Sequence, residues 1–177
     1  MLRGPLPRSS LPQNASAVKS RWTFRYKTKK LEDLKSVSHR SRFVAKGYSQ
    51  VQGLHYFDNY APVASFITIR LLFALTSMSN FQALQYDVSA AFIQSKLYSN
   101  HPPVHCECAE GYEDRRKYFH CLHRHLYCMK DSPRGWGQLF AFVRTDFGLT
   151  RLQSDECAFV KSSTTQRLES KMSNQTW

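Results

Sequence analysis

"FQALQYDVSAAF", residues 81–92, decides how the chain is read. Phe81, Ala83, Gln85 and Asp87 fall on one side of a two-residue alternation and Leu84, Tyr86 and Val88 on the other, the period of a half-buried strand. The pattern predicts a strand that ends with Asp87 displayed at its edge. A carboxylate there, followed by small residues, suits two roles: ligand to a divalent ion, or N-cap of the next helix.

Working outward, Ile67, Leu71, Leu75 and Met78 predict a helix upstream with one apolar stripe. Before it comes a loop, "GLHYFDNYAP". Earlier still, Trp22, Phe24 and Tyr26 alternate with polar residues, and "SRFVAKGYSQ" reads as a second strand ending at Gly47. Residues 21–47 therefore predict a hairpin with a basic open face, joined by the charged connector "KKLEDLKSVSHR". Downstream, 99–118 is loop-like, with Pro102, Pro103 and Gly111. The next helix has Ser132 as cap, Pro133 in its first turn and Gly148 at its exit, with a stripe of Trp136, Phe140, Val143 and Phe147. "CAFVK", 157–161, predicts a short buried strand. Residues 1–20 have no periodicity and read as a flexible leader, and 162–177 as a fraying, disordered tail. The order β-β-α-β-α-α-β predicts an α+β fold, a mostly antiparallel sheet with helices packed on one side.

The 177 residues allow one core of ordinary size, and 42% hydrophobic content with 12 Phe, 9 Tyr and 3 Trp excludes a wholly disordered chain. Twenty-five Lys and Arg against 13 Asp and Glu leave +12, which favours a polyanionic partner such as nucleic acid. No uninterrupted apolar run has the length of a membrane span, so no membrane role is expected. The basic stretch before Glu32 superficially resembles a mitochondrial presequence, but Pro5, Pro7 and Pro12 break the helix that one needs. Five cysteines, an odd number without a secretory signal, predict free thiols in a reducing compartment. Four of them lie in a segment, 101–128, that also holds His101, His105, His120, His123 and His125. Cys106 and Cys108 stand too close in sequence for the usual zinc pair and have no matching second pair, so the segment reads as ordinary thiols and surface histidines.

"SRFVAKGYSQVQGLHYFDNYAPVASFITIRLLFAL", "QYDVSAAFI", "EGY", "LYCMKDSPRGW" and "SDECAFVK" resemble, in order and spacing, the reverse transcriptase of copia-type LTR retrotransposons. That family reads R-L-V-A-K-G, D-Y-x-x-T-F-A-P-V, Q-L-D-V-x-x-A-F, P-x-G-F, S-L-Y-G-L-K-Q-A-P-R-A-W and S-D-x-x-L-F-V. The match runs from Arg21 to Lys161, expected as one fingers and partial-palm domain of a right-hand polymerase.

The resemblance implies an RNA-directed DNA polymerase that transfers nucleotidyl groups with two Mg2+ ions on an RNA or DNA template-primer, using dNTPs. Asp87 matches the first metal-binding, catalytic aspartate, and Val88 offers its carbonyl to the same metal. Phe92 matches the aromatic residue that packs under the incoming sugar and excludes a 2′ hydroxyl. Arg42 and Lys46 match the basic pair that approaches the triphosphate, and Lys130 the lysine of the nucleotide pocket. The residues themselves leave the location unknown; the resemblance implies an intracellular one, cytoplasmic or nuclear.

The sequence departs from the family at several points. No adjacent aspartate pair of the Y-V-D-D kind is present, so Asp87 lacks its partners and the chain is expected to be truncated before that motif and inactive alone. Cys128 replaces a glycine, Asp131 a glutamine and Gly135 an alanine. The alternatives are a basic nucleic-acid-binding remnant without catalysis, or the product of a decayed element. The strand around Ala158 and Val160 is expected to expose an edge through which chains self-associate.

Overall fold

The longest pairing in the protein is local, as the alternation at Trp22, Phe24 and Tyr26 predicts. β3 (Ser20–Thr28) runs antiparallel to β4 (Val37–Ala45), with Ser20 opposite Ala45 and Thr28 opposite Val37. The computed structural model describes residues 5–28, 37–97, 101–112, 114 and 116–161. The expected tail, 162–177, lies outside them, as does most of the charged connector. The last residues assigned to that connector, from Val37 on, belong to β4.

The chain divides into two units, residues 1–61 with 88–136 and residues 62–87 with 137–177. The first unit holds a four-stranded sheet in the order β1 (Leu6–Pro7), β6 (Tyr118–Cys121), β5 (His105–Glu107), β2 (Ala17–Val18). Its β2–β5 pair is parallel and the others antiparallel. Two corrections to the sequence reading follow. Residues expected as a flexible leader supply two strands, and the expected loop 99–118 supplies β5. Two- and three-residue strands are too short to carry a periodic signature, and only their distant partners define them.

What holds the early segment in place is burial. Val18 is fully buried in a core with Ala45, Val104, Cys106, Leu122, Leu126 and Met129, flanked by Phe43 and Leu97. His55, also buried, adds a polar tie. Its Nδ1 accepts from the backbone N–H of Val51 at 2.9 Å, so its Nε2 carries the proton and donates to the carbonyl of Ser16 at 3.0 Å.

The second unit contains α1 (Phe66–Met78) and the antiparallel pair β7 (Leu149–Arg151) and β8 (Phe159–Lys161). Ser65 caps α1, accepting from the N–H of Ile67. Asp155 fastens that turn, accepting from the N–H of Ser65 at 2.9 Å and from the N–H of Cys157 at 2.8 Å. The expected one-sided stripe is not what α1 shows. Phe66, Ile67, Leu71, Leu72, Phe73, Leu75 and Met78 are all exposed, so the helix is apolar around its circumference and buries no residue. "CAFVK" forms only β8, which is not buried, with Val160 48% exposed.

α3 (Ser132–Asp146) begins in the first unit and ends in the second, leaving through Gly148 at φ 78 as its sequence predicts. Its cap differs from the prediction. The N–H of Gly135 donates to the carbonyl of Asp131, placing Asp131 at the cap, while the Ser132 hydroxyl donates to the carbonyl of Leu126 at 2.6 Å. The stripe predicted on α3 is only partly covered, with Phe147 exposed.

Among the described residues, the single mostly antiparallel sheet expected from the element order is instead three sheets, of four, two and two strands. A further correction concerns the opening stretch. Residues 81–88 form no strand, and every one of them is exposed. Alternation fixes which way side chains point in an extended segment, but a strand also needs a neighbour to pair with, and none is found here among the described residues. Asp87 is thus an exposed residue of an irregular segment and not the end of a strand. The fold that results is mixed α/β. No helix among the described residues is long and apolar enough to cross a membrane.

Candidate nucleotide and metal site

Of the two basic residues expected at a triphosphate, Arg42 lies on β4 and Lys46 directly follows it, and the structure separates them. Arg42 lines a cavity of about 220 Å3 together with Arg25, Arg40, Thr23, Tyr127 and Cys128. Lys46 lines a different cavity of about 390 Å3, among Arg8, Lys19 and Arg116 but also Glu107 and Glu110. The three-arginine cavity is the more strongly cationic. Arg25 stands directly opposite Arg40 in the β3–β4 ladder, and like charges in that position repel unless an anion lies between them.

Tyr127 organises this region. Its ring lies 5.3 Å from the Arg42 guanidinium carbon and meets the Phe92 ring edge-on, at 5.8 Å and 82°. Phe92 sits on α2 (Ala91–Gln94), and the residue before that helix, Ala90, has φ 54, a left-handed conformation that side chains disfavour. Two residues expected at the site from separate motifs, Arg42 and Phe92, therefore both contact one aromatic ring. Tyr127 lies within the quoted "LYCMKDSPRGW" and carried no assigned role. Arg25 and Arg40 were missed because their juxtaposition depends on the hairpin register.

Tyr127 is held by backbone. Its carbonyl accepts from the N–H of Ala45 at 3.0 Å, and Val44 and Tyr127 form a parallel bridge. One turn on, Gly47 abuts the next peptide: a Cβ at position 47 would lie 2.2 Å from the Cys128 carbonyl oxygen. Lys130 is anchored close by. Its N–H donates to Oε1 of Gln50 at 2.7 Å, and its ammonium donates to the Gln50 carbonyl at 3.2 Å and lies 5.3 Å from the centre of the Tyr56 ring. Arg134 of the same motif pairs with Asp58.

Asp87 closes the second unit's first segment, and Val88 opens the return of the chain to the first. Among the described residues, the one group of three side chains able to ligate a metal is His101, His125 and Asp131, which does not include Asp87. The cysteines join no such group. Burial, with the charge of Glu107, pushes the Cys106 thiol up to about 12, and burial also raises Cys108, so neither favours the thiolate that binds metal. His105 and His125 are buried rather than on the surface.

The protein is mixed α/β, with arginines gathered on a hairpin and a tyrosine-centred cluster beside them. Comparison with known proteins gives its family. Residues 8–170 match the family model for reverse transcriptase (RNA-dependent DNA polymerase), and the chain belongs to that family, in its copia-type branch. It is 31% identical over 154 residues, 85% of its length, to the retrovirus-related Pol polyprotein from transposon TNT 1-94 of Nicotiana tabacum. It is also 31% identical, over 84% of its length, to that from transposon RE1 of Arabidopsis thaliana. The chain spans about a tenth of the length of these relatives, 11% and 10%. No solved structure matches significantly.

Cys128 has φ 66, in the region where the family motif places glycine. A side chain there costs about 1–2 kcal/mol, partly offset by the greater freedom that glycine has when unfolded. Cys128→Gly is expected to stabilise the protein by up to about 1 kcal/mol, read as a higher urea midpoint with an unchanged slope. An unchanged or lower midpoint would contradict the strain.

Proposed function

We propose that this chain is the fingers and partial palm of an RNA-directed DNA polymerase, the part that grips the nucleic acid and the incoming dNTP. The observation that carries this reading is the opposed Arg25 and Arg40 beside Arg42, a cavity of about 220 Å3 that suits one phosphate group. Tyr127 supports it by holding Phe92 next to that cationic surface. In this reading Arg42 contacts the phosphates, Phe92 lies under the sugar, and Lys46 and Lys130 hold neighbouring phosphates or backbone. Lys130 must then exchange its contact with the Gln50 carbonyl for one with phosphate.

The family works with divalent metal ions, and Mg2+ is the ion this chemistry calls for. Asp87 and the Val88 carbonyl are oxygen donors of the kind Mg2+ prefers. Such an ion would polarise the primer hydroxyl and stabilise charge on the phosphoryl oxygens. Asp87 is the one carboxylate that the matched motifs assign to the metals, and the sequence contains no adjacent aspartate pair. Catalysis by these 177 residues alone is therefore not expected. With Mg2+ or Mn2+ on a primed RNA template, neither the protein nor Asp87→Asn should extend the primer. Extension by the unaltered chain that is lost in Asp87→Asn would overturn this expectation.

Binding is the activity that remains. Affinity for primed template should fall as salt rises, because each phosphate neutralised releases counterions. Removing two phosphate contacts with Arg25→Ala and Arg40→Ala should reduce the log–log salt slope by about 2. An affinity independent of salt, or a slope untouched by the double substitution, contradicts the arginine site.

The second unit supports self-association. Among the described residues, both strands of the two-stranded β7–β8 sheet have an open edge, Val160 is half exposed, and the apolar side chains of α1 are exposed. Sedimentation velocity should show a concentration-dependent shift to larger species. A monomer at every concentration would contradict it.

A further inference from the structure

We propose that His101, His125 and Asp131 form a binding site for one divalent transition-metal ion of the zinc class, separate from any polymerase metal. Nε2 of His101 lies 2.5 Å from Oδ2 of Asp131, and Nε2 of His125 lies 3.4 Å from the same oxygen. One ligand atom from each of the three side chains falls within 4.8 Å of the others. His125 and Asp131 are buried, and the His101 side chain is only 12% exposed.

The hydrogen bonds around the cluster decide what it can hold. Nδ1 of His101 lies 2.7 Å from the carbonyl oxygen of Pro102, which only accepts, so Nδ1 carries a proton. Ser95 donates its hydroxyl proton to the carbonyl of Phe92 at 2.9 Å, so its oxygen accepts from Nδ1 of His125 at 3.0 Å. Both imidazoles thus have their single neutral-form proton committed on the far side. Two Nε2 lone pairs and a carboxylate converge on one small volume, where three acceptors repel unless a cation sits among them. Either extra protons or one metal ion can serve. The remaining carboxylate oxygen, Oδ1 of Asp131, is buried with no hydrogen-bond partner, an unmet demand that a bidentate carboxylate removes.

Geometry and chemistry favour the metal. Ligand atoms about 2.0–2.2 Å from a tetrahedral zinc ion stand roughly 3.4 Å apart, which is the His125–Asp131 separation already. The 2.5 Å separation of His101 from Asp131 has to open to about the same value, and His101 is the least buried of the three. Histidine ligands whose second nitrogen is tied to a carbonyl or hydroxyl are the usual arrangement around zinc, and two imidazoles are poor ligands for Mg2+.

The sequence carries a matching signature. In the family motif S-L-Y-G-L-K-Q-A-P-R-A-W, His125 stands at the serine, Asp131 at the glutamine and Gly135 at the second alanine of the P-R-A-W end. A Cβ on residue 135 would lie 2.3 Å from Cε1 of His125, so the imidazole fits only because that alanine is absent. Three departures from the motif thus belong to one feature.

The test uses the full chain, stripped with chelator and titrated with Zn2+ by calorimetry and with Co2+ by visible absorption. The expected result is one equivalent of either ion, with Co2+ giving the intense d–d bands of low coordination and no thiolate charge-transfer band. His101→Ala and the isosteric Asp131→Asn should each weaken binding by about tenfold or more. Circular dichroism separates loss of a ligand from loss of the fold. No binding by the unaltered chain, equal binding by both folded variants, or a thiolate band would each overturn the proposal. No template, primer or nucleotide enters the test, so its outcome is independent of the polymerase reading.

Discussion

The Tyr127 carbonyl bonds to the end of β4, and the Cys128 carbonyl comes so close to Gly47, just beyond it, that no side chain fits there. The Ala45 N–H to Tyr127 carbonyl bond at 3.0 Å draws the two segments together, and Gly47 is the residue that lets them meet. Cys128 turns its peptide into this contact through a left-handed conformation. Several side chains of the first unit are arranged about this join. Tyr127 presents its ring to Arg42 and Phe92, and Lys130 is carried to Gln50. Asp131 is delivered to the two histidines and to the first turn of α3. A backbone contact does what a larger core would otherwise have to do.

Electrostatics then divides the basic surface by neighbour rather than by count. Lys46 shares its cavity with two glutamates, which soften its field, whereas Arg25, Arg40 and Arg42 line theirs without any carboxylate. A net charge of +12 gives no indication of that difference. The short distance between opposed guanidinium-bearing residues on adjacent strands is a local property of register.

How much was legible follows from which interactions are local. The hairpin, α1 and α3 were readable because alternation and helical spacing report on neighbours in sequence. The Ala17–Val18 and His105–Glu107 strands were not, since each is fixed by a partner far away. The error at residues 81–88 has the same origin: the pattern was present and the partner was not. For α1, apolar residues predicted the helix correctly but said nothing about what would cover them. Motif resemblance singled out Arg42, Phe92 and Lys130 as candidates. It could not supply Tyr127 as the shared contact of Arg42 and Phe92, nor the meeting of His101 with His125 and Asp131, which needs two segments brought together.

The parallel pairing of β2 with β5 bears on how the chain is made. Ala17 and Val18 leave the ribosome long before His105 and Cys106, their partners, and the whole Pro62–Asp87 segment of the other unit is synthesised in between. Local elements such as the β3–β4 hairpin can form as they emerge, but the four-stranded sheet must wait for its central strands. Until then Val18 is an apolar side chain without a core, at the stage of biosynthesis when chaperones meet a nascent chain.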